Sequence, residues 1–381
     1  MLTALLMQTG MAAVLAVSDR TEVRLRSPGS VPDSTAVDVE TAPALVLGVG
    51  SRSLRYALAY LPRVTRWDLG TSRSQLVLLH EGSLGARWIE RRVQLSIDER
   101  FSYGGVNFAT IAPAGQAGAQ PRIDAVPGSQ VIRHVSSTTT LGSRLTFRLW
   151  SAALSVGYQL GGGATPGARA VMPFQSGPFG EVSATRAVRR TDDLVTTAAA
   201  SESSFSSGPE SLLLEVTEGW RHAWSRTTRT GLAVGVSEAR SRASAGAAHG
   251  SVTYPVAEGE FTRRVPTDRG RFDLQLGVRL GPVVNRLLGL VDQRVQGTVV
   301  VSRTFARLET HAFLRGGRSV AMDGVAAIRI VAGELGASFR VTPVVALDAG
   351  LRSLWQRQDR IELKQSSVFV GVTLRAPDLK L

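Results

Sequence analysis

The chain has 381 residues, a mean hydropathy of +0.05 and a formal net charge of +13, from 44 basic and 31 acidic residues. It contains no cysteine, which excludes disulfides, thiolate zinc sites and thiol nucleophiles. The basic residues are almost all arginines, spread along the chain without a nucleic-acid-binding motif, so we expect no nucleic-acid partner. The positive charge reflects either a GC-rich coding sequence or a positive lumen that attracts anionic solutes or polymers.

The first 17 residues predict a cleaved signal peptide. They are apolar, Val14 and Ala16 supply the small residues expected before a cleavage site, and a polar run begins at Ser18. A buried helix or a membrane anchor is the alternative, although the stretch is short for a membrane span. Because no later apolar run approaches the roughly 18 residues of a transmembrane helix, any crossing must use strands. We therefore expect a signal peptide at 1–17 and a single domain at 18–381.

Alternation of apolar and polar residues recurs along the rest of the chain. It is clearest in 271–280, RFDLQLGVRL, where every second residue is apolar and the others are mostly charged or polar. A period of two predicts a strand with one apolar and one polar face, because a helix would scatter the charges around its circumference. The same pattern is present at 92–98, 144–149, 151–160 and 345–352.

The candidate strands are joined by connections that alternate between short and long. Short periplasmic turns and long extracellular loops are typical of bacterial outer-membrane barrels. A soluble β-sandwich also alternates, but its strands run to about 5–6 residues, whereas these run to roughly 10–17, enough to cross a bilayer on a tilt. We predict an all-β fold, a closed antiparallel transmembrane β-barrel of about 18 strands (range about 16–18) in the outer membrane. The candidate strands are 20–27, 42–50, 53–65, 73–89, 92–103, 135–149, 151–161, 178–190, 193–204, 211–225, 228–240, 249–264, 270–281, 292–303, 305–316, 325–341, 343–356 and 363–375.

Two features of the chain could serve function. Segment 104–134 is rich in Gly, Ala and Pro, and a loop of this length is usually functional or disordered. It could fold inward as a constriction or plug, or lie outside as a lid. The second feature is a set of arginines predicted to line the lumen, where they either attract anions or pair with carboxylates such as Asp98, Asp273 and Asp348. The set consists of Arg55, Arg92, Arg144, Arg148, Arg271, Arg279, Arg340 and Arg352.

The sequence offers no pattern typical of an enzyme. Its five histidines have no metal-ligand spacing, and it contains no Gly-x-Ser-x-Gly nucleophile elbow. We therefore predict no catalytic residues, no metal site and no cofactor.

Two stretches carry a family resemblance. Residues 79–88 lead through a turn into 93–98 and then Tyr103-Gly104, and this hairpin resembles the second hairpin of outer-membrane barrels from myxobacteria and related Gram-negative groups. Residues 345–352 resemble a penultimate strand of the same kind. Several such barrels serve exopolysaccharide export, so the resemblance implies a channel surrounded by outer-membrane lipid that passes a polysaccharide outward with a periplasmic polysaccharide-export protein. The alternatives are a passive porin for small anionic solutes and a plugged structural or adhesive barrel.

Overall fold

The computed structural model describes residues 12–27, 36–69, 74–107, 131–242, 250–285, 290–319, 327–358 and 361–380. Within these residues the chain forms β-strands and one short helix, α1 (Pro166–Val171). The strands are β1 (Ala12–Arg26), β2 (Ala36–Gly50), β3 (Leu54–Tyr60), β4 (Arg63–Trp67), β5 (Gln75–Glu90), β6 (Val93–Asn107), β7 (Val131–Thr146), β8 (Trp150–Gly163), β9 (Gln175–Ala187), β10 (Asp192–Phe205), β11 (Glu210–Ala223), β12 (Thr228–Arg242), β13 (Gly250–Thr267), β14 (Gly270–Asn285), β15 (Leu290–Phe305), β16 (Leu308–Ser319), β17 (Ile328–Arg340), β18 (Val345–Gln358), β19 (Ile361–Arg375) and β20 (Leu379–Lys380).

The strands form one closed antiparallel barrel. Apart from β3–β4 and β19–β20, each strand pairs with the next along the chain, and the sheet closes where β1 pairs with β19, from Ser18 opposite Arg375 to Arg26 opposite Ser367. β3 and β4 both pair with β2 and β5, so they are two halves of one barrel strand interrupted at Leu61 and Pro62. With this pair counted once and the two-residue β20 set aside, the barrel has 18 strands, which confirms the predicted fold.

The connections confirm the predicted alternation of barrel ends. One end, which we call the short end, carries the turns 51–53, 91–92, 147–149, 188–191, 224–227, 268–269, 306–307 and 341–344. The other, the long-loop end, carries all the connections longer than four residues, including the one that holds α1, together with short ones such as those at 206–209 and 359–360. Two of the tightest turns place Arg91 and Ala306 at positive φ, 27° and 52°, as two-residue hairpin turns require.

The N-terminal strand is longer than the sequence pattern predicted. β1 begins at Ala12, so residues 12–17 of the predicted signal peptide lie in this strand opposite residues 45–50 of β2. Residues 1–11 lie outside the described residues. All the pairs that close the barrel against β19 use residues 18–26.

Side chains alternate between an exposed outer face and an inner face. On β14, Leu276 and Val278 are 40 % and 54 % exposed, whereas Asp273 on the other face is only 9 % exposed. Arg279 shares the face of Asp273 and reaches Glu215 on β11, three strands away. Such a bridge is possible only on the concave side of the sheet, so this polar face lines the lumen and the apolar face forms the outer wall.

The described part of the chain contains no helix with the length and apolar character of a membrane span. α1 is a single short turn-and-a-half at the long-loop end. Thr165 caps it by accepting a hydrogen bond from the backbone N–H of Ala168, and the helix packs against the backbone of Gly163, where a Cβ would lie within 2.2 Å of the helix.

Candidate functional site in the barrel lumen

A chain of ion pairs runs from strand to strand along the inner face of the barrel, on both sides of the β1–β19 pair that closes the sheet. We call this chain the seam network and define it as Glu22, Arg24, Glu40, Glu334 and Arg352. The guanidinium of Arg352 donates to Glu22 Oε1 at 2.9 Å and to Glu334 Oε2 at 2.9 Å. Arg24 pairs with Glu22 and, at 2.8 Å, with Glu40. The network therefore connects β17 and β18 with β1 and β2.

The charges of the seam network are removed from water. Glu22 is 2 % exposed, and Arg24, Arg352 and Glu334 are only 4–5 % exposed. A buried charge is tolerated only when it is paired and hydrogen-bonded. Here each buried charge contacts at least one opposite charge, so the network holds the side chains against the wall and contributes no bare charge to the lumen.

The ring of Phe369 fills the position on β19 between the two halves of the network. Phe369 is 1 % exposed, and the Arg352 guanidinium carbon lies 4.3 Å from its ring centroid. Arg20 lies 5.4 Å from the same centroid and pairs with Glu22 at 2.9 Å. Cation–π attraction of this kind strengthens when the groups are desolvated. Phe369 therefore connects Arg352 on β18 with Arg20 on β1 across the closing strand β19.

The inner wall from β10 to β16 is also polar. A cavity of about 200 Å³ lies between β10 and β16. Its polar lining comes from serines of β10 and from Arg279, Arg294, Gln296 and Arg315. These arginines are also held by partners: Arg294 lies 2.9 Å from Asp292, and Arg315 donates to Gln296 at 3.2 Å.

The facing ends of β14 and β15, at Val284 and Val291, lean inward and narrow the lumen near the long-loop end, and we call these two strand ends the β14–β15 tip. Val291 packs with Ala239 and Tyr254 in a buried cluster, against which Val284 and Leu213 also pack. The Tyr254 hydroxyl donates to the Val291 carbonyl at 3.3 Å. Since β15 is not a sheet neighbour of β11 or β12, these contacts require the hairpin tip to fold over the inner face. This narrowing was not predicted from the sequence.

Segment 104–134 was predicted to act as a constriction, plug or lid. Its first residues, Gly104 to Asn107, complete β6, and its last, Val131 to His134, begin β7. Residues 108–130 lie outside the described residues, so the role assigned to this segment stays a prediction.

Three of the arginines nominated from the sequence face the lumen and are held by carboxylates. Arg352 belongs to the seam network. Arg279 contacts Glu215 at 2.8 Å and also pairs with Glu258, and Arg271 pairs with Asp273 on the same strand.

The other five nominated arginines lie at the short end and are exposed. Arg55 and Arg144 are on the inner face of β3 and β7, and Arg340 is the last residue of β17. Arg92 and Arg148 lie in turns between strands. Among the described residues no carboxylate lies within ion-pair distance of any of them.

Sequence reasoning did not single out Glu22, Glu334 or Phe369. The alternation of β1 does place Glu22, Arg24 and Arg26 on one face, which was the available signal. Their importance depends on strand register across the closure, and that register pairs residues more than 300 positions apart in the chain.

The described residues hold no cluster of three or more His, Cys, Asp or Glu side chains that could bind a metal ion. The geometry of the site is that of a polar, ion-paired inner wall with a narrowing at one end. It can contact a solute along its path.

Comparison with solved structures returns outer-membrane proteins at low sequence identity. OpdK of Pseudomonas aeruginosa, crystallised with vanillate, is 12 % identical, with 96 % of this chain and 99 % of that chain covered and a TM-score of 0.49. OpdL of the same organism is 13 % identical, with 97 % and 100 % covered and a TM-score of 0.45. The FrpB iron transporter of Neisseria meningitidis is 8 % identical, with 90 % and 62 % covered and a TM-score of 0.49. Comparison with curated protein sequences finds no match.

The sequence profile of one family matches residues 6–376, which include nearly all of the barrel. The closed β-barrel and this match place the protein in the outer membrane. They also identify it as a barrel of a transport family, in agreement with the resemblance seen in residues 79–104 and 345–352. The chain belongs to the EpsX exopolysaccharide export family.

Proposed function

We propose that this barrel is the outer-membrane channel through which an exopolysaccharide leaves the cell, and that a periplasmic export protein delivers the polymer to its short end. The observation that carries the proposal is the family match across residues 6–376. A barrel of about 16–18 strands leaves an aqueous lumen, so a path for a polymer is physically available.

The inner wall suits the passage of a sugar chain. A polymer that must move cannot be held by strong isolated charges, and the buried charges of the seam network are neutralised by their neighbours. Polar side chains that line the cavity between β10 and β16, such as Ser201 and Gln296, offer hydrogen bonds that sugar hydroxyls and water can exchange. The inward lean of the β14–β15 tip restricts the cross-section and would favour an extended chain over a folded solute.

The short end is the side from which the polymer would enter. Short turns of outer-membrane barrels lie in the periplasm, and exposed arginines such as Arg55, Arg144 and Arg148 surround this opening. A photo-reactive amino acid at position 148 should cross-link to a periplasmic export protein in living cells. The same amino acid at Arg133, near the long-loop end, is the matched control and should give no such product.

Deletion of the gene tests the proposal directly. We expect loss of surface polysaccharide, accumulation of polymer behind the outer membrane, and recovery of both when the wild-type gene is supplied on a plasmid. Surface polysaccharide that stays at the wild-type level in the deletion strain would overturn the export function.

Conductance separates the channel from the other two functions considered. The purified barrel in a planar bilayer should carry a steady current, and long neutral glucans should reduce it transiently as they enter. A barrel without current would favour the structural or adhesive role. A barrel that conducts small anions but gives no response to glucans would favour the passive porin.

A further inference from the structure

Three arginines form a row across β16, β17 and β18 near the long-loop end. Arg318 lies directly opposite Arg329 in the β16–β17 pair, and Arg329 lies directly opposite Arg357 in the β17–β18 pair. Residues directly opposite in an antiparallel pair place their side chains on the same face, with Cβ atoms about 5 Å apart. We call these three residues the arginine row.

The arginine row faces outward. Arg318 has the same parity along β16 as Leu314, which is 51 % exposed on the outer wall, and Arg329 has the same parity along β17 as Leu335, which is 60 % exposed. All three arginines are exposed. The row therefore points away from the lumen and toward whatever surrounds the barrel.

The height of the row places it at the outer boundary of the membrane. Arg318 follows the short turn at 306–307 by eleven residues along β16. A strand tilted by about 40° rises roughly 2.5 Å per residue along the barrel axis, which places Arg318 roughly 28 Å above that turn. The apolar band of such barrels is about 25 Å tall, so the row lies just above it, at the level of the outer-leaflet headgroups.

The charges of Arg318 and Arg329 are not balanced within the described chain. Like charges directly opposite each other destabilise a strand pair. Among the described residues no carboxylate lies within ion-pair distance of Arg318 or Arg329. Arg357 lies opposite Glu362, which also pairs with Lys364 at 3.1 Å. Arg318 and Arg329 therefore face each other without a carboxylate partner among the described residues, and an external anion would remove their repulsion.

We propose that the arginine row binds the phosphate groups of lipid A in the outer leaflet. A guanidinium forms paired hydrogen bonds with phosphate oxygens, and the strength of these bonds increases when both partners are charged. The outward direction excludes a polymer in the lumen as the ligand, and the height matches a lipid headgroup. The site does not depend on what the channel transports.

Binding of purified lipids to the full-length mature protein in an uncharged detergent tests the site. Native mass spectrometry would compare bisphosphorylated lipid A with its dephosphorylated form and with phosphatidylglycerol. We expect the bisphosphorylated lipid to bind most tightly. The double variant Arg318→Gln/Arg329→Gln should weaken its binding by about tenfold or more, because two charge-assisted contacts are lost, whereas Arg318→Lys/Arg329→Lys should retain part of it.

The matched control removes two outward-facing arginines at the opposite end of the barrel, in Arg263→Gln/Arg303→Gln. This variant should bind lipid A within about twofold of wild type, a difference of under 0.5 kcal/mol. Heat-modifiable gel mobility would establish that every variant is folded. Equal loss in both double variants, equal binding of the dephosphorylated lipid, or equal binding of phosphatidylglycerol would each overturn the assignment.

Discussion

Strands β16, β17 and β18 carry charged side chains on both faces, and the two faces are organised in opposite ways. On the inner face, Glu334 lies opposite Arg352 and both are buried in the seam network. On the outer face of the same strands, Arg329 lies between Arg318 and Arg357, all exposed. Strand register thus places unlike charges together inside and like charges together outside.

This difference separates structural charges from charges available to a ligand. The inner charges satisfy one another, so their main contribution is to hold β17 and β18 against β1 across the closure. On the outer face, Arg318 and Arg329 have no carboxylate partner among the described residues, so an anion from outside the protein would relieve the repulsion between them. Net charge alone could not distinguish these roles, because arginine supplies the positive charge on both faces.

The largest expected effect comes from removing a buried charge on the inner face of β17, compared with an exposed charge on the outer face of the same strand. Glu334→Ala leaves the buried Arg352 with one carboxylate partner and removes the partner of His311, at 3.0 Å. We expect a loss of about 3–5 kcal/mol in the free energy of unfolding, measured by urea titration in uncharged detergent. Arg329→Ala, on the outer face of the same strand, should change the free energy of unfolding by less than about 0.5 kcal/mol. Equal losses would contradict the assigned difference between the faces.

The second prediction tests the assignment of faces where no ion pair is involved. Leu276 faces outward and is 40 % exposed in the protein alone, while Gln275 faces the lumen. Leu276→Arg should cost about 2–4 kcal/mol in a lipid bilayer, since it places a charge in hydrocarbon. Gln275→Arg should be mild because it faces water. Folded yield in liposomes would measure both, and similar yields would show that the outer wall is assigned wrongly.

The third prediction concerns the aromatic ring inside the seam network. Phe369→Leu keeps an apolar side chain below Arg352 but removes the cation–π contact at 4.3 Å. We expect a loss of about 1–2 kcal/mol in the free energy of unfolding. Phe339→Leu, at an outward-facing phenylalanine that is 47 % exposed, is the control. A larger loss in the control would argue against a stabilising role for the Phe369 ring.

The fourth prediction concerns a variant that gives the arginine row alternating charges, as on the inner face of the same strands. Arg329→Glu would place a carboxylate between Arg318 and Arg357. In uncharged detergent this variant should unfold at a slightly higher urea concentration. The expected gain in the free energy of unfolding is about 0.2–1 kcal/mol, the value typical of exposed ion pairs. Its binding of lipid A should fall below that of wild type. Higher stability together with unchanged lipid binding would show that the row does not contact the phosphates.

The sequence predicted the barrel well because its main signal is local. Alternation in 271–280 depends only on neighbouring residues, and the structure confirms the strand, with Leu276 and Val278 on the outer wall. The seam network depends on register between Glu22 and Arg352, which lie 330 positions apart. No local pattern contains that information. The inward tip of β14–β15 was missed for the same reason, because its contact between Val291 and Tyr254 is tertiary.

The smallest expected effect concerns the N-terminus of β1. Residues 12–17 pair with β2, and Val14 and Leu15 also pair with the two-residue β20, whereas the closing ladder with β19 and the charges of the seam network begin at residue 18 or later. Removal of the predicted signal peptide at 1–17 should therefore leave the closure intact. We expect the intact mass of protein purified from outer membranes to match cleavage near this point. A refolded chain beginning at Ser18 should have the same unfolding midpoint as a refolded chain beginning at Ala12, since the inner charges that stabilise the closure are retained in both. A clearly lower midpoint would show that the pairing of residues 12–17 with β2 contributes to the mature barrel.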